Sequence, residues 1–190
     1  MLSGVVVPVH LISSHATDEK QMAKILNDVL TAAKSCKPAV DLLVHQYKQT
    51  SLLHERSDFK YRIQEEHRRS MTDSCPPRLL SYFVELMTNY VLYGIHPDYA
   101  VVGDSIILYC LIMTVEALLK LQQMIDSGQL SQLFSDLYTA FVSTGLTSRL
   151  IGGLFHRPAS TTVTVILSTE EYQRASSLLT SAGKLSLIIV

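Results

Sequence analysis

Cysteine is scarce, neither sign of charge is in excess, and no apolar run is long. Each shortage removes a class of protein. The three cysteines, Cys36, Cys75 and Cys110, form no CxxC pair, so neither a zinc knuckle nor a dithiol redox motif is readable. Unpaired thiols without a framework fit a reducing compartment, the cytosol or nucleus. The chain carries 16 Lys and Arg against 17 Asp and Glu. It therefore has no surplus of cations for the many phosphate contacts that a sequence-blind grip on nucleic acid relies on. The longest apolar stretch, Ile106 to Val115, stops at Glu116, far short of the ~20 residues of a membrane span. Met1 to His10 lacks the basic start of a signal peptide. The expectation is a protein without nucleic-acid or membrane partners.

Catalytic and ligand signatures are equally sparse. The chain contains no GxxxxGK loop and no GxGxxG after a strand, so no phosphate cradle is readable, and both HExxH and GxSxG are absent. The seven histidines, His10, His15, His45, His54, His67, His96 and His156, stand at no metal-ligand spacing. His54, Glu55, Asp58, Glu65, Glu66 and His67 crowd one segment, which reads as a solvated face rather than a metal site. Cys110 sits in an apolar run and reads as a core thiol. No catalytic residue, metal or cofactor is expected.

What is present suits one globular domain. The 190 residues are 47% hydrophobic and 17% charged, long enough to bury a core without staples. Val5 to Ile12 is β-branched and reads as a strand, with Pro8 placing it at an edge or breaking it. Thr17 or Asp18 caps a helix whose apolar face is Met22, Ile25, Leu26, Val29 and Leu30. Pro38 interrupts that pattern, and Val40, Leu43, Val44 and Tyr47 restore a short helix. His54 to Ser74 is dense in charge of both signs and reads as an exposed connector, flexible over about 51–75; a charge-mediated partner site is the alternative. Pro76 and Pro77 open an amphipathic helix that ends at Gly94 and Pro97. Tyr99 to Val102 reads as a strand, and Ile106 to Leu121 as a strand leading into a helix or as one buried helix. After Gly128, Leu130, Leu133, Phe134, Leu137, Tyr138 and Phe141 step by three and four in one stripe. Leu150 to Phe155 and Thr161 to Leu167 read as a hairpin, Glu170 to Thr180 as a short helix, and Leu185 to Val190 as a final strand.

Four stretches resemble the HORMA-fold family, and within it the adaptors of spindle-checkpoint silencing. They are VPVHL near the start, Lys24 to Gln49, Leu79 to Gly103, and Leu130 to Phe141 followed by TTVTVILS. The resemblance implies an α+β class: a single HORMA-like domain over 1–190, its central, mostly antiparallel sheet packed on about three helices. It also implies a non-enzymatic adaptor in the nucleus and cytoplasm, and at the spindle and kinetochore in mitosis. Its partners would be the closed form of the checkpoint HORMA protein, whose dimer mate it imitates, and a hexameric AAA+ remodelling ATPase.

By the same resemblance, the stripe helix is the docking surface. Phe134 matches the family's plugging aromatic, Leu133, Leu137 and Tyr138 flank it, and Ala32 matches a contributor late in the first helix. Arg157 and Pro158 match the loop that engages the remodeller. From the residues alone such a stripe is ordinarily core, although Phe134 and Tyr138 lie at its margin. A scaffold subunit of another HORMA-type complex with a constitutive partner is the competing reading, and an enzyme of unrecognised type is a third.

Overall fold

The charged segment after the second helix is itself a helix. A computed structural model of the chain describes residues 4–14, 19–145 and 161–186. The elements in order are β1 (Val5–Ser13), α1 (Glu19–Ser35), α2 (Lys37–Gln49), α3 (Leu53–Met71), α4 (Pro77–Leu92), β2 (Ile95–Val102), β3 (Ile106–Ile112), α5 (Val115–Asp126), α6 (Gln129–Gly145), β4 (Val163–Ile166) and α7 (Thr169–Ser186). The class is α+β, with seven helices among the described residues rather than about three.

The four strands form one antiparallel sheet in the order β2-β3-β1-β4. Its core face follows from the two-residue period of a strand. Ile106, Leu108, Cys110 and Ile112 on β3 are buried, as are Val7, Val9 and Leu11 on β1. The register sets Val7 opposite Cys110, Val9 opposite Leu108 and Leu11 opposite Ile106. Helices α1, α4, α5, α6 and α7 all contribute side chains to the same core. Ile106 to Leu121 is thus a strand and then a helix. Thr114 makes the break: its backbone is extended and its hydroxyl accepts from Ala117 N–H at 3.1 Å, the ordinary N-cap arrangement. Gly94 (φ 76) and Gly128 (φ 74) take the left-handed conformation that lets α4 and α5 stop where they do.

Prolines mark where strands lack a neighbour. Pro8 lies in β1, between β3 and β4 in the sheet, but β4 pairs only with His10 to Ser13, and α7 packs against β1. Pro97 lies in β2, the edge strand, so β2 extends back to Ile95 rather than starting at Tyr99. The register shifts between Pro97 and Tyr99. The extra residue, Asp98, meets Lys34 of α1 at 2.5 Å.

Both outer edges of the sheet are closed by polar side chains of helices. On β2, the Asn27 amide of α1 accepts from Ala100 N–H at 2.8 Å and donates to Ala100 C=O at 2.9 Å, as a neighbouring strand would. On β4, Val165 N–H donates to Ser131 Oγ at 3.1 Å and Val163 N–H to Ser135 Oγ at 2.8 Å, and just before the strand Thr161 N–H donates to Thr139 Oγ1 at 3.3 Å. The spacing works because four helical residues rise about 6 Å and two strand residues about 6.6 Å. A helix running against the strand therefore brings one hydroxyl to each outward N–H. Ser135 also donates to Ser131 C=O at 2.6 Å, so its hydroxyl is used in both directions.

Helix α3 corrects the reading of 51–75 as a flexible connector. Leu53–Met71 is helical and buries Ile63, His67 and Met71, three positions at a spacing of four. Glu65 pairs with Arg68 and Glu66 with Arg69 on its exposed side. Ile63 joins Val40, Leu43, Val44 and Val91 in a second small core where α2, α3 and α4 meet. His67 is 2% exposed, its Nδ1 lies 3.3 Å from Thr88 Oγ1, and burial pushes its pKa down to about 4. The C-terminal expectation also changes: α7 runs from Thr169 to Ser186, so Leu185 and Ser186 are helical rather than strand. The remainder of that strand, the Leu150 to Phe155 strand and the Thr17 or Asp18 cap lie outside the described residues.

Two outcomes follow from this packing. Ser135→Ala and Ser131→Ala each leave a strand N–H without its partner, and each is expected to cost about 1–3 kcal/mol in urea unfolding. Ser177→Ala on the exposed side of α7, whose hydroxyl bonds only within its own helix, is expected to stay within about 0.5 kcal/mol. Equal, small effects at all three positions would show that the ladder contributes nothing.

The second outcome concerns pH. His67 has a folded pKa of about 4 against 6.5 when free, so between those values the unfolded chain binds more protons. Stability is full above pH 6.5 and falls as pH drops toward 4, by roughly 2 kcal/mol between pH 7 and pH 5. Burial lowers the His96 pKa too and adds in the same direction. The double variant His67→Leu, Thr88→Val is expected to remove the larger part of this slope, measured by urea unfolding at the two pH values.

Candidate functional site

Helix α6 is held in one rotation about its axis by the hydroxyl ladder, and that rotation decides which of its residues face outward. With Ser131 and Ser135 fixed to β4, successive residues step about 100° around the helix. Leu130, Phe134, Leu137, Tyr138 and Phe141 then turn into the core, and all five are buried. This corrects the assignment of the docking plug. Phe134 is 0% exposed and Leu137 and Tyr138 are each 1% exposed, so none of the three presents a surface to a partner. Phe134 stands four residues after Leu130 and three before Leu137, at the centre of the stripe rather than its margin.

Tyr138 shows how deep the stripe lies. Its hydroxyl and that of Tyr90 are buried with no hydrogen-bond partner among the described residues. Burial raises the pKa of both phenols, and the Glu19 carboxylate adds to the effect at Tyr138. Both rings are held by packing rather than by their polar tips.

Leu133 stands apart from the rest of the assigned set. It packs on the core only in part and faces a groove of about 300 Å³ between α4 and α6. The floor of the groove is apolar, from Leu86, Met124, Leu130 and Leu133, with the half-buried Tyr82 at its side. Its polar residues are Glu85, Asn89, Gln129, Gln132 and Asp136, and Gln132 Nε2 donates to Asp136 Oδ1 at 2.9 Å on the exposed side of α6. The lining contains two carboxylates and no Lys, Arg or His. An apolar floor with an acidic rim suits a protein surface that offers an apolar anchor flanked by basic groups.

The other assigned residues are not brought to this groove. Ala32 sits near the end of α1, where its carbonyl accepts from Ser35 Oγ at 2.6 Å and from Ser70 Oγ of α3. That places it on the α1–α3 side of the molecule. Arg157 and Pro158 lie outside the described residues. Reading the stripe alone missed Tyr82, Glu85, Asn89, Gln132 and Asp136. The available signal was the polar remainder of α6 at 100° steps, with Gln132 and Asp136 four residues apart.

Among the described residues no group of three or more His, Cys, Asp or Glu side chains gathers as a metal site, and no described helix is long and apolar enough to cross a membrane. Cys110 is a core side chain, its thiol pushed up to about 12 by burial. Comparison with known proteins identifies no relative: no family model, no curated protein and no solved structure matches the chain.

Proposed function

We propose that the chain is a HORMA-type adaptor without catalytic activity of its own. In this reading it binds the closed form of the checkpoint HORMA protein by imitating its dimer mate. It then presents that protein to a hexameric AAA+ remodelling ATPase, in the nucleus and cytoplasm, and silences the spindle assembly checkpoint. One observation carries the reading. The helix that the family resemblance marks for docking, α6, keeps an outward face beside an apolar groove with an acidic rim. The contact set is shifted accordingly from the buried Phe134 to Leu133, Gln132 and Asp136, with Tyr82 and Glu85 across the groove.

A second reading has its own support. The sheet face opposite the core exposes Val6, Ile12, Tyr99, Val101 and Ile166, and Tyr99 stacks on Tyr109 with ring centroids 4.6 Å apart. An apolar sheet face of this kind suits a scaffold subunit with a constitutive protein partner.

Co-migration with the closed checkpoint HORMA protein on size exclusion tests the first reading. Wild type is expected to form a complex, and Leu133→Arg to lose it while melting near the wild-type temperature. Phe134→Ala is expected to lose about 3–5 kcal/mol of stability, as a large buried aromatic does, so it cannot serve as the selective variant. Wild type failing to co-migrate would sink the adaptor reading. Wild-type binding that survives in Leu133→Arg would remove the groove from the interface.

A further inference from the structure

A second cavity lies on the other flank of α4, away from the groove. It measures about 250 Å³ and is bounded by Leu30 and Ala33 of α1, Val40 of α2, Met87 and Val91 of α4, and Ile95 of β2. His67 of α3 also lines it. An apolar cavity of about 150 Å³ is enough to bind benzene, so this one has room for a larger compact molecule with an apolar body.

The polar groups of the cavity define the rest of the ligand. The charged side chains that line it are matched in pairs: Lys34 with Asp98 at 2.5 Å and Lys37 with Asp41 at 2.6 Å, all about half exposed. Neither sign of charge is left over to select an ion, which favours an uncharged ligand. His67, 2% exposed, is the most buried polar group of the lining, and the half-buried His96 is its other imidazole. His67 is neutral near pH 7, because burial opposes its charged form.

The hydrogen bond between His67 and Thr88 has two possible directions. If Thr88 O–H donates to Nδ1, both atoms are used and Nε2 carries the proton. If Nδ1–H donates instead, both the Thr88 proton and the Nε2 lone pair are left without a partner, whereas the first arrangement leaves only Nε2–H unpaired. The first arrangement is therefore favoured. It leaves an Nε2–H donor that has no protein partner among the described residues.

We propose that this cavity is a binding site for a compact, uncharged molecule whose apolar body fills the space and whose single carbonyl-type oxygen accepts from His67. The site is independent of docking on the α4–α6 groove, and Leu133→Arg is expected to leave it intact.

Benzylacetone and the matched hydrocarbon n-butylbenzene serve as probes, with calorimetric titration and the imidazole nitrogen signals of His67 as readouts. Both are expected to bind wild type, the ketone about three- to tenfold more tightly, the ratio that one neutral hydrogen bond supports. The ketone alone is expected to shift the Nε2 signal. His67→Leu with Thr88→Val is expected to abolish the ketone's advantage while hydrocarbon binding persists. Ala33→Leu is expected to block both probes, and Val40→Phe fills the cavity from the opposite wall if Ala33→Leu does not fold. Failure of both probes to bind wild type would overturn the proposal. So would a ketone advantage that survives the double variant, because His67 would then not be the donor.

Discussion

The three hydroxyls of α6 on the outward edge of β4 are the contacts on which the rest of the arrangement depends. A short edge strand presents backbone N–H groups that must find partners. Here Ser131, Ser135 and Thr139 supply them in register. Because the hydroxyls lie on one face of α6, meeting the strand also fixes the helix's rotation. Leu130, Phe134, Leu137 and Tyr138 are thereby aimed at the sheet, and Gln132 and Asp136 away from it. Asn27 does the corresponding work at Ala100 on β2. With one helix bound to each edge, the space left between α1 and α6 is filled by α4, which buries Leu79, Phe83, Leu86, Met87 and Tyr90 along its length.

That central position gives α4 two flanks with different character. Toward α6 its Tyr82, Glu85 and Asn89 form one wall of an open groove with an acidic rim. Toward α1, α2 and β2 its Met87 and Val91 wall a mainly apolar cavity. Helix α3 packs against α4 from outside, and the His67–Thr88 contact joins the two. The two concavities thus belong to one helix but share no lining residue.

How much of this was legible in the sequence depends on what each residue type reveals about its rotation. Helices α1, α4 and α6 were readable because aliphatic residues repeat on one face. Strand β1 was readable because β-branched residues concentrate there, whereas β3 was only one of two readings of the apolar run from Ile106 to Leu121. Helix α3 was not. Its buried line is Ile63, His67 and Met71, and a histidine in the middle position makes a stripe look like part of the charged surface around it. Burial of that imidazole is permitted by a hydroxyl partner 21 residues away, at Thr88, which no local pattern shows. The extension of β2 through Pro97 was hidden for a similar reason: proline argues against a strand unless the strand is known to lie at an edge, and edges are a property of the whole sheet.

Phe134 illustrates the same limit for the candidate site. A stripe of six apolar residues is wider than a helix can bury on one neighbour, so either margin was open to be the exposed one. The choice is made by the serines between the stripe residues, which read as polar surface in sequence and are in fact the side that meets β4. With about 100° per residue, fixing Ser131 and Ser135 on β4 puts Phe134 on the core side of that contact and Gln132 and Asp136 on its outer side, with Leu133 beyond them at the groove. A partner seated over those residues would hold α6 on the face next to its hydroxyl ladder and away from the buried stripe. Ser131, Ser135 and Thr139 do not line the groove, so binding there and closure of the β4 edge use different side chains, and one helix can serve both at once.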